Sequence, residues 1–393
     1  MTSLPCRNLA QGLAGEEAGQ GEEQFKVSIG SLGFFVVSER RRPNKSALPA
    51  SIRVINCAMG KVIGVRAACL LLFLTSLAAS GCSHTTHESG LFPVILQADW
   101  YPQPEHGGFY DALVKGYYKD EGLDLKIVPG GPYVIVEEQV ATGAAQFGMS
   151  SSDRILESVA DGQPLVAVAA TMQRDPQGVM VRADSPVHSF ADLNGHTVAI
   201  KTGSTWWEFI EKKYHLTDVR VVPAMMNVAN FVADPSYIQQ AFATSEPYFA
   251  QQAGIQTRIL LTSDAGYRPY RVMFTTRSFL TQHPEIVAKF VHASLRGWRD
   301  YLNDPTQANA AIAKLNPALN PQWMEFTWKT LRDGNFVTGD APDGSDLGQM
   351  NAQRWTEMYQ QLLDLKVITN TFDPATAYTL QFVNSKQVEV GQQ

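Results

Sequence analysis

The chain has 393 residues, of which 45% are hydrophobic and 18% are charged, and its net charge at pH 7 is −6. This is a globular composition, and the length suffices for two domains of ordinary size. The acidic balance and the lack of a basic stripe with interleaved aromatic residues argue against a nucleic-acid partner.

Residues 59–81 have the pattern of a secretory signal. A positive start contains Lys61 and Arg66, a short apolar run follows, and small residues close the segment. This order is typical of a signal peptide, and the run is too short to span a membrane stably. The ending Ala-Ser-Gly-Cys resembles a bacterial lipobox, so we expect Cys82 to be lipidated. Ala79 stands where Leu is usual, which leaves plain secretion with cleavage near Ala79 as the alternative.

The stretches on either side of this signal are not expected to join the folded core. A signal peptide stands at the start of a nascent chain, so we expect translation to begin at Met59. Residues 1–58 are then not part of the protein, and a disordered natural extension is the alternative. Of the four cysteines only Cys82 remains after cleavage, which leaves no disulfide framework, cysteine nucleophile or thiolate metal site. The polar residues 82–90 predict a tether to the membrane surface.

From residue 91 onward, strand-like and helix-like segments alternate. An apolar run at 94–96 predicts a first strand, and four-residue spacing of apolar side chains over 109–118 predicts a helix. Residues 123–127 alternate as a half-buried strand does, and the continuous apolar run at 165–170 is typical of a strand buried on both faces. Further strands are predicted at 146–149, 196–200, 219–222, 241–244, 258–261 and 270–275, and further helices at 136–142, 152–162, 206–214, 247–253, 284–304, 322–331 and 349–365. This alternation predicts a mostly parallel α/β fold.

Several sequence segments resemble one family of bacterial binding proteins. Residues 100–110 and 115–124 resemble the opening of binding proteins for thiamine pyrimidine precursors, a family shared with nitrate, taurine and alkanesulfonate binding proteins. Further matches follow in order at 143–148, 192–198, 245–247 and 296–298. The resemblance runs from about residue 94 to 303. The ordered set of matches is specific for the family. The assignment to the pyrimidine-binding branch depends mainly on residues 100–110.

The resemblance implies a type II periplasmic binding protein: two α/β lobes joined by two crossing strands. We expect residues 91–181 and 275–393 to form lobe one and residues 182–274 to form lobe two, with hinges near 179–182 and 272–275. In this architecture the ligand lies between the lobes, and closure buries it.

The implied function is capture of a small nutrient outside the cytoplasm and its delivery to an ABC permease. We expect a lipid-anchored monomer that is not an enzyme and carries no metal or other cofactor. A thiamine pyrimidine precursor is the favoured ligand, and sulfonate, taurine, nitrate and riboflavin remain open. A ligand-sensing domain of a membrane receptor is one alternative. A pyrimidine-synthesis enzyme is another, although the cysteine-rich motif of such relatives is missing here.

Four candidate ligand contacts lie after the first two strands. Trp100 and Tyr101 follow the first strand, where open α/β sheets place ligands, and their rings suit stacking on a flat heterocycle. Packing of one ring in the core is the alternative. His106 lies in a loop rich in Pro and Gly, so it either donates to a ligand or braces the loop. Gly131 either lets the backbone approach the ligand closely or serves a turn.

Helix starts supply the next candidates. Ser151 and Ser152 in lobe one, and Gly203, Ser204 and Thr205 in lobe two, precede or open helices. The free N–H groups there favour an anionic ligand group, with ordinary capping as the alternative.

Two adjacent tryptophans, a glutamate and an arginine complete the candidate set. Trp206 and Trp207 are adjacent on a helix and cannot face the same way, so we expect one in the core and the other at the cleft. Glu246 suits the N–H donors of an aminopyrimidine, or is an exposed carboxylate at a helix start. Arg174 pairs either with a ligand acid or with Asp175.

Overall fold

The computed structural model describes residues 90–225, 227–341 and 343–383, all within one compact unit. The predicted signal, Cys82 and the tether up to Ser89 lie outside the described residues. Within the described ranges, no helix is long and apolar enough to cross a bilayer.

Ten strands and twelve α-helices are described in these ranges. The strands are β1 (Phe92–Gln97), β2 (Leu123–Val128), β3 (Phe147–Ser151), β4 (Leu165–Met172), β5 (Gln177–Arg182), β6 (Thr197–Ile200), β7 (Arg220–Pro223), β8 (Ile238–Phe242), β9 (Thr257–Leu261) and β10 (Arg271–Thr276). The helices are α1 (Gly107–Val114), α2 (Tyr117–Asp120), α3 (Val136–Ala141), α4 (Ser152–Ala160), α5 (Thr205–Tyr214), α6 (Ala229–Ala233), α7 (Glu246–Gln252), α8 (Arg277–Gln282), α9 (Pro284–Asn303), α10 (Thr306–Leu315), α11 (Pro321–Asp333) and α12 (Ala352–Asp364). Short 3-10 helices cover Pro104–His106, Phe190–Leu193 and Pro374–Ala377.

The strands form two five-stranded sheets, one in each lobe. The first has the order β2-β1-β3-β10-β4 and the second the order β7-β6-β8-β5-β9. In each sheet the parallel strands surround one antiparallel strand, β10 in the first and β5 in the second. These are the strands that the chain enters after changing sheets. The structure therefore has the predicted α/β fold of two lobes joined by two crossing segments.

The chain changes sheets earlier than the predicted lobe boundaries. It leaves the first sheet after β4 and enters the second as β5, so the first crossing covers residues 173–176. The return crossing covers residues 262–270. The expected boundaries at 181 and 274 fall inside β5 and β10. Apolar strand residues have the same pattern in both sheets, so the sequence does not show where the chain passes from one sheet to the other.

Local sequence explains most element boundaries. All eight residues of β4 are buried, as its continuous apolar run predicts. The helix predicted over 109–118 is instead split into α1 and α2, because Gly116 between them adopts a left-handed φ of 80°. The amphipathic helix α9 begins with Pro284 in its first turn, where the missing N–H costs nothing.

The core of lobe one lies between its sheet and helices α1 and α9. Phe147 of β3 stacks on Phe290 of α9 with ring centroids 3.8 Å apart. Gly108 of α1 lies directly against the Trp298 ring, and an added Cβ there would collide with it. Glycine thus permits the close approach of α1 and α9 that fixes the loop between β1 and α1.

Candidate ligand cleft

The carboxyl ends of the parallel strands in both sheets meet the two crossing segments. In lobe one this edge carries the residues after β1, β3 and β4, together with the first residue of β10, since Arg271 pairs with Ser151 and Met172. In lobe two it carries the residues after β6, β8 and β9. Open α/β sheets bind ligands at such edges, so the candidate cleft lies between them.

A partly buried ion cluster forms the floor of lobe one's edge. Asp99, just after β1, pairs with Arg271 and with His106, whose Nε2 lies 2.9 Å from Asp99 Oδ1. Asp175, in the first crossing, lies 3.9 Å from Arg271. Burial alone would raise the pKa of Asp99, but Arg271 and His106 outweigh it and lower that pKa to about 2. The cluster ties β1, β10 and the first crossing together.

His106 braces this cluster. The side chain is 1% exposed and its ring points to Asp99, so the loop histidine is a buried structural residue. Of the two roles predicted for His106, this position favours bracing the loop. The Nδ1 atom is also buried and has no hydrogen-bond partner among the described residues.

The two predicted stacking residues lie together beside the cluster. Trp100 is half-buried and Tyr101 is 50% exposed, and their rings meet edge to face at 5.6 Å. Gly130 donates its N–H to the Trp100 carbonyl at 2.9 Å, and an ideal Cβ on Gly131 would lie 3.4 Å from the Tyr101 ring. The loop after β2 therefore supports this aromatic pair, and Gly131 leaves room for it.

The start of α4 is surrounded by carboxylates. Ser152 accepts a hydrogen bond from the Tyr270 N–H at 3.0 Å, and Ser151 is buried as the last residue of β3. Asp153 accepts from the Tyr267 hydroxyl at 2.6 Å. Ser150 donates to Glu137. These carboxyl groups oppose a further negative charge, so the helix start is poorly suited to an anionic ligand.

The start of α5 contacts the opposite lobe. Thr205 donates to Glu157 of α4 at 3.0 Å, and Ser204 donates to the Lys201 carbonyl at 2.7 Å instead of capping the helix. Gly203 is exposed with φ 75°, which suits glycine in this turn. The segment from Gly203 to Thr205 therefore lies at the cleft, where Thr205 joins the lobes through Glu157.

Both tryptophans of α5 are buried, each 5% exposed. They meet edge to face at 5.9 Å within one hydrophobic cluster. Trp207 also lines a surface concavity of about 430 Å³ with Lys201 and Pro223. Trp206 is thus a core residue, whereas the sequence predicted a ligand contact.

Arg174 links the two crossings. Its guanidinium lies 3.1 Å from Asp264 of the return crossing, and it forms no salt bridge with Asp175 among the described residues. It also lies over the Phe336 ring at 5.9 Å. Arg174 therefore holds the two hinge segments to each other.

Glu246 lies at the cleft edge of lobe two, where Oε2 accepts from the Phe242 N–H at 2.8 Å. Burial raises its pKa, and nearby Glu105 raises it further. Burial also raises the pKa of Glu105, although the Thr244 hydroxyl approaches it and offsets part of this effect. Sequence reasoning missed Glu105 and Thr244. Like Asp99, Thr244 follows directly after a strand region, a position that the strand-end rule could have flagged.

Hydrogen bonds between the lobes also flank the cleft near α11. Trp323 and Thr327 of α11 both donate to the Thr244 carbonyl, at 3.2 and 2.7 Å. Tyr248 of α7 donates to Asn320 at 3.1 Å. With Thr205 and Glu157, these contacts close the two rims of the cleft. In the described part of the chain, no three His, Cys, Asp or Glu residues are grouped as a metal site would require.

Curated relatives cover most of this chain. The riboflavin-binding protein RibY of Chloroflexus aurantiacus is 24% identical over 74% of this chain and 86% of its own. The formylaminopyrimidine-binding protein of Halalkalibacterium halodurans is 25% identical over 75% and 91%. The 4-amino-5-hydroxymethyl-2-methylpyrimidine phosphate synthase of Legionella pneumophila is 24% identical over 74% and 92%. Binding proteins and a synthase thus share this sequence pattern.

Solved structures share the two-lobed fold. The periplasmic aliphatic sulphonate binding protein SsuA of Escherichia coli has a TM-score of 0.55 at 16% identity, covering 72% of this chain and 91% of its own. The ligand-binding component of an ABC-type import system from Staphylococcus aureus has a TM-score of 0.53 at 11% identity, covering 75% and 98%. The fold is therefore that of type II periplasmic binding proteins. The family model described as NMT1/THI5 like matches residues 103–308, more than half of the sequence, and the chain belongs to this family.

Proposed function

We propose that this protein captures a small nitrogen heterocycle between its lobes outside the cytoplasm and delivers it to an ABC permease. The fold supports this role, because two lobes around one cleft can bury a solute on closing. Relatives with nearly full-length coverage are named as riboflavin-binding and formylaminopyrimidine-binding proteins. A thiamine pyrimidine precursor is the proposed ligand.

The observation that carries the ligand class is an aromatic pair beside carboxyl groups that lack cationic partners. Trp100 and Tyr101 offer faces for a flat ring. The basic side chains nearby, Arg271 and His106, already pair with Asp99, whereas Glu105 and Glu246 form no salt bridge among the described residues. Carboxylates accept the N–H groups of an aminopyrimidine and repel nitrate or sulfonate.

Thermal unfolding with a ligand panel tests this proposal. The panel contains 4-amino-5-hydroxymethyl-2-methylpyrimidine, its formylamino relative, riboflavin, taurine, an alkanesulfonate and nitrate. A ligand at about 100 times its Kd stabilises the fold by about 2.7 kcal/mol, which shifts the unfolding midpoint visibly. We expect aminopyrimidines to shift it and the anions not to.

Trp100→Ala tests the proposed stacking. We expect this variant to lose roughly 30-fold or more in affinity, since a buried aromatic anchor contributes about 2 kcal/mol or more. Leu315→Ala is the control, because that side chain at the end of α10 is 59% exposed. Shifts produced by anions alone would contradict the ligand class and leave capture of a solute standing.

Synthase activity is the competing function, because some relatives carry that name. Incubation of the protein with candidate ligands and mass spectrometry of the mixture separates the two. We expect every ligand to be recovered unchanged. A product that forms with turnover would replace the binding role with an enzymatic one.

The proposed membrane anchor depends on Cys82. In a bacterial host, the wild-type protein should fractionate with membranes, and Cys82→Ala should be released or remain unprocessed. Because one acyl chain alone anchors only marginally, firm membrane association requires the multiple chains of a lipidated cysteine. A wild-type protein found entirely in the soluble fraction would favour plain secretion.

A further inference from the structure

One part of the cleft, next to α11, holds two carboxyl groups from opposite lobes. Glu105 belongs to the 3-10 helix after β1, and Glu246 is the first residue of α7. The two are close enough for the charge of Glu105 to raise the pKa of Glu246, in addition to the effect of burial. Glu105 lies in the segment that follows β1, and Glu246 lies in the segment that follows β8, so they belong to the strand-end edges of the two lobes.

Two oxygen atoms here have no hydrogen-bond partner among the described residues. They are Oε2 of Glu105 and Oγ1 of Thr244, both buried. Thr244 is 0% exposed, yet only its carbonyl oxygen is engaged, by Trp323 and Thr327. The hydroxyl approaches the Glu105 carboxyl without completing a hydrogen bond. Native proteins rarely leave buried polar atoms unpaired, so these atoms indicate a missing partner.

The chemistry of that partner follows from the oxygens. Carboxylates accept and cannot donate, and two of them close together favour a group that carries positive charge and several N–H donors. An amidine edge, as in an aminopyrimidine or a protonated aminoheterocycle, presents adjacent N–H groups in one plane. An anion or a carbonyl-rich edge would leave the carboxyl oxygens unpaired.

We infer that Glu105, Thr244 and Glu246 form a subsite for an amidine-type, N–H-rich edge of the solute. This inference deepens the proposed solute-binding function and rests on it. Lobe one contributes Glu105 and lobe two contributes the other two residues, so the edge of the solute links the lobes. The subsite selects amino over oxo heterocycles.

The free protein gives the first test. At pH 8, Glu105→Gln should raise the unfolding midpoint by about 2–4 °C, because it removes a charge that the free protein leaves unpaired. Glu285→Gln is the control, since Glu285 is an exposed residue in the first turn of α9. An unchanged or lowered midpoint in Glu105→Gln would mean that Glu105 is a satisfied structural group, and would overturn the inference.

Ligand selectivity gives the second test. We expect the wild-type protein to bind 4-amino-5-hydroxymethyl-2-methylpyrimidine at least about 10-fold more tightly than its 4-oxo counterpart. Glu105→Gln should abolish this preference, and Glu285→Gln should keep it. Thr244→Val has nearly the same shape and should lose about 5-fold for the amino compound alone. Equal binding of the amino compound by wild type and Glu105→Gln would overturn the subsite and leave solute capture standing.

Acetamidinium separates failure of the subsite from failure of the pyrimidine assignment. It should stabilise the wild-type protein, but not Glu105→Gln, relative to sodium chloride at equal ionic strength. If the pyrimidines do not bind while this difference is observed, the subsite stands and the pyrimidine assignment fails. If neither probe shows a dependence on Glu105, the subsite is refuted.

Discussion

Replacing Asp99 by Asn should destabilise the protein in a way that depends on pH. The ordinary pKa of the Asp99 carboxyl is 3.8, and in the folded protein it is about 2, because Arg271 and His106 outweigh the effect of burial. A difference of this size corresponds to about 2 kcal/mol of folding stability at neutral pH. The side chain is only a quarter exposed, so solvent does not screen most of this interaction.

The sign of the pH dependence follows from the direction of the shift. A lowered pKa in the folded state contributes stability that is fully present above about pH 4 and is lost as the pH falls through about 2. The wild-type protein should therefore exceed Asp99→Asn by about 2 kcal/mol at pH 7 and pH 5, and by roughly 1 kcal/mol at pH 3.

Urea unfolding of both proteins at pH 7, 5, 4 and 3 measures this difference. Asp124→Asn is the matched control, because Asp124 is an exposed residue of β2 and its loss should leave the stability unchanged at every pH. A stability gap for Asp99→Asn that stays constant down to pH 3, or that is absent at pH 7, would refute the ion-cluster reasoning.

Two further variants test other parts of the structure. Tyr267→Phe should lower the free energy of unfolding by about 1–3 kcal/mol in a urea titration, since it leaves a buried carboxyl oxygen of Asp153 without its donor; an unchanged midpoint would show that water replaces the hydroxyl. Gly108→Ala should cost about 1–3 kcal/mol of stability in a urea titration, because the added Cβ forces α1 away from Trp298. A variant as stable as the wild type would contradict the close packing of α1 against Trp298.

Hydrophobic periodicity predicted the strands well and the changes of sheet poorly. The run at 165–170 became the fully buried β4, and the alternation at 123–127 became β2. The crossings at 173–176 and 262–270 could not be placed, because which sheet a strand joins depends on distant partners. Gly116 shows a local limit: four-residue spacing continued through it, yet its left-handed backbone ended the helix.

The sequence indicated the position of candidate contacts where they closely follow a strand. Trp100 and Tyr101 follow β1, and their rings lie against each other at that edge of the sheet. The partner of Asp99 could not be found, because Arg271 is distant in the chain and reaches it only when β10 inserts beside β3. Serine at a helix start was ambiguous, and Ser152 proved to be engaged by the Tyr270 N–H.

Contacts between the lobes lie at both rims of the cleft. Side-chain hydrogen bonds such as Thr205 to Glu157 and Thr327 to the Thr244 carbonyl are each worth about 1 kcal/mol net. Between the rims, Oε2 of Glu105 has no hydrogen-bond partner among the described residues. A solute that contacts both lobes would shift the population by its differential affinity for the closed state. Specificity then resides in the centre of the cleft, because the rim bonds form whichever solute is bound.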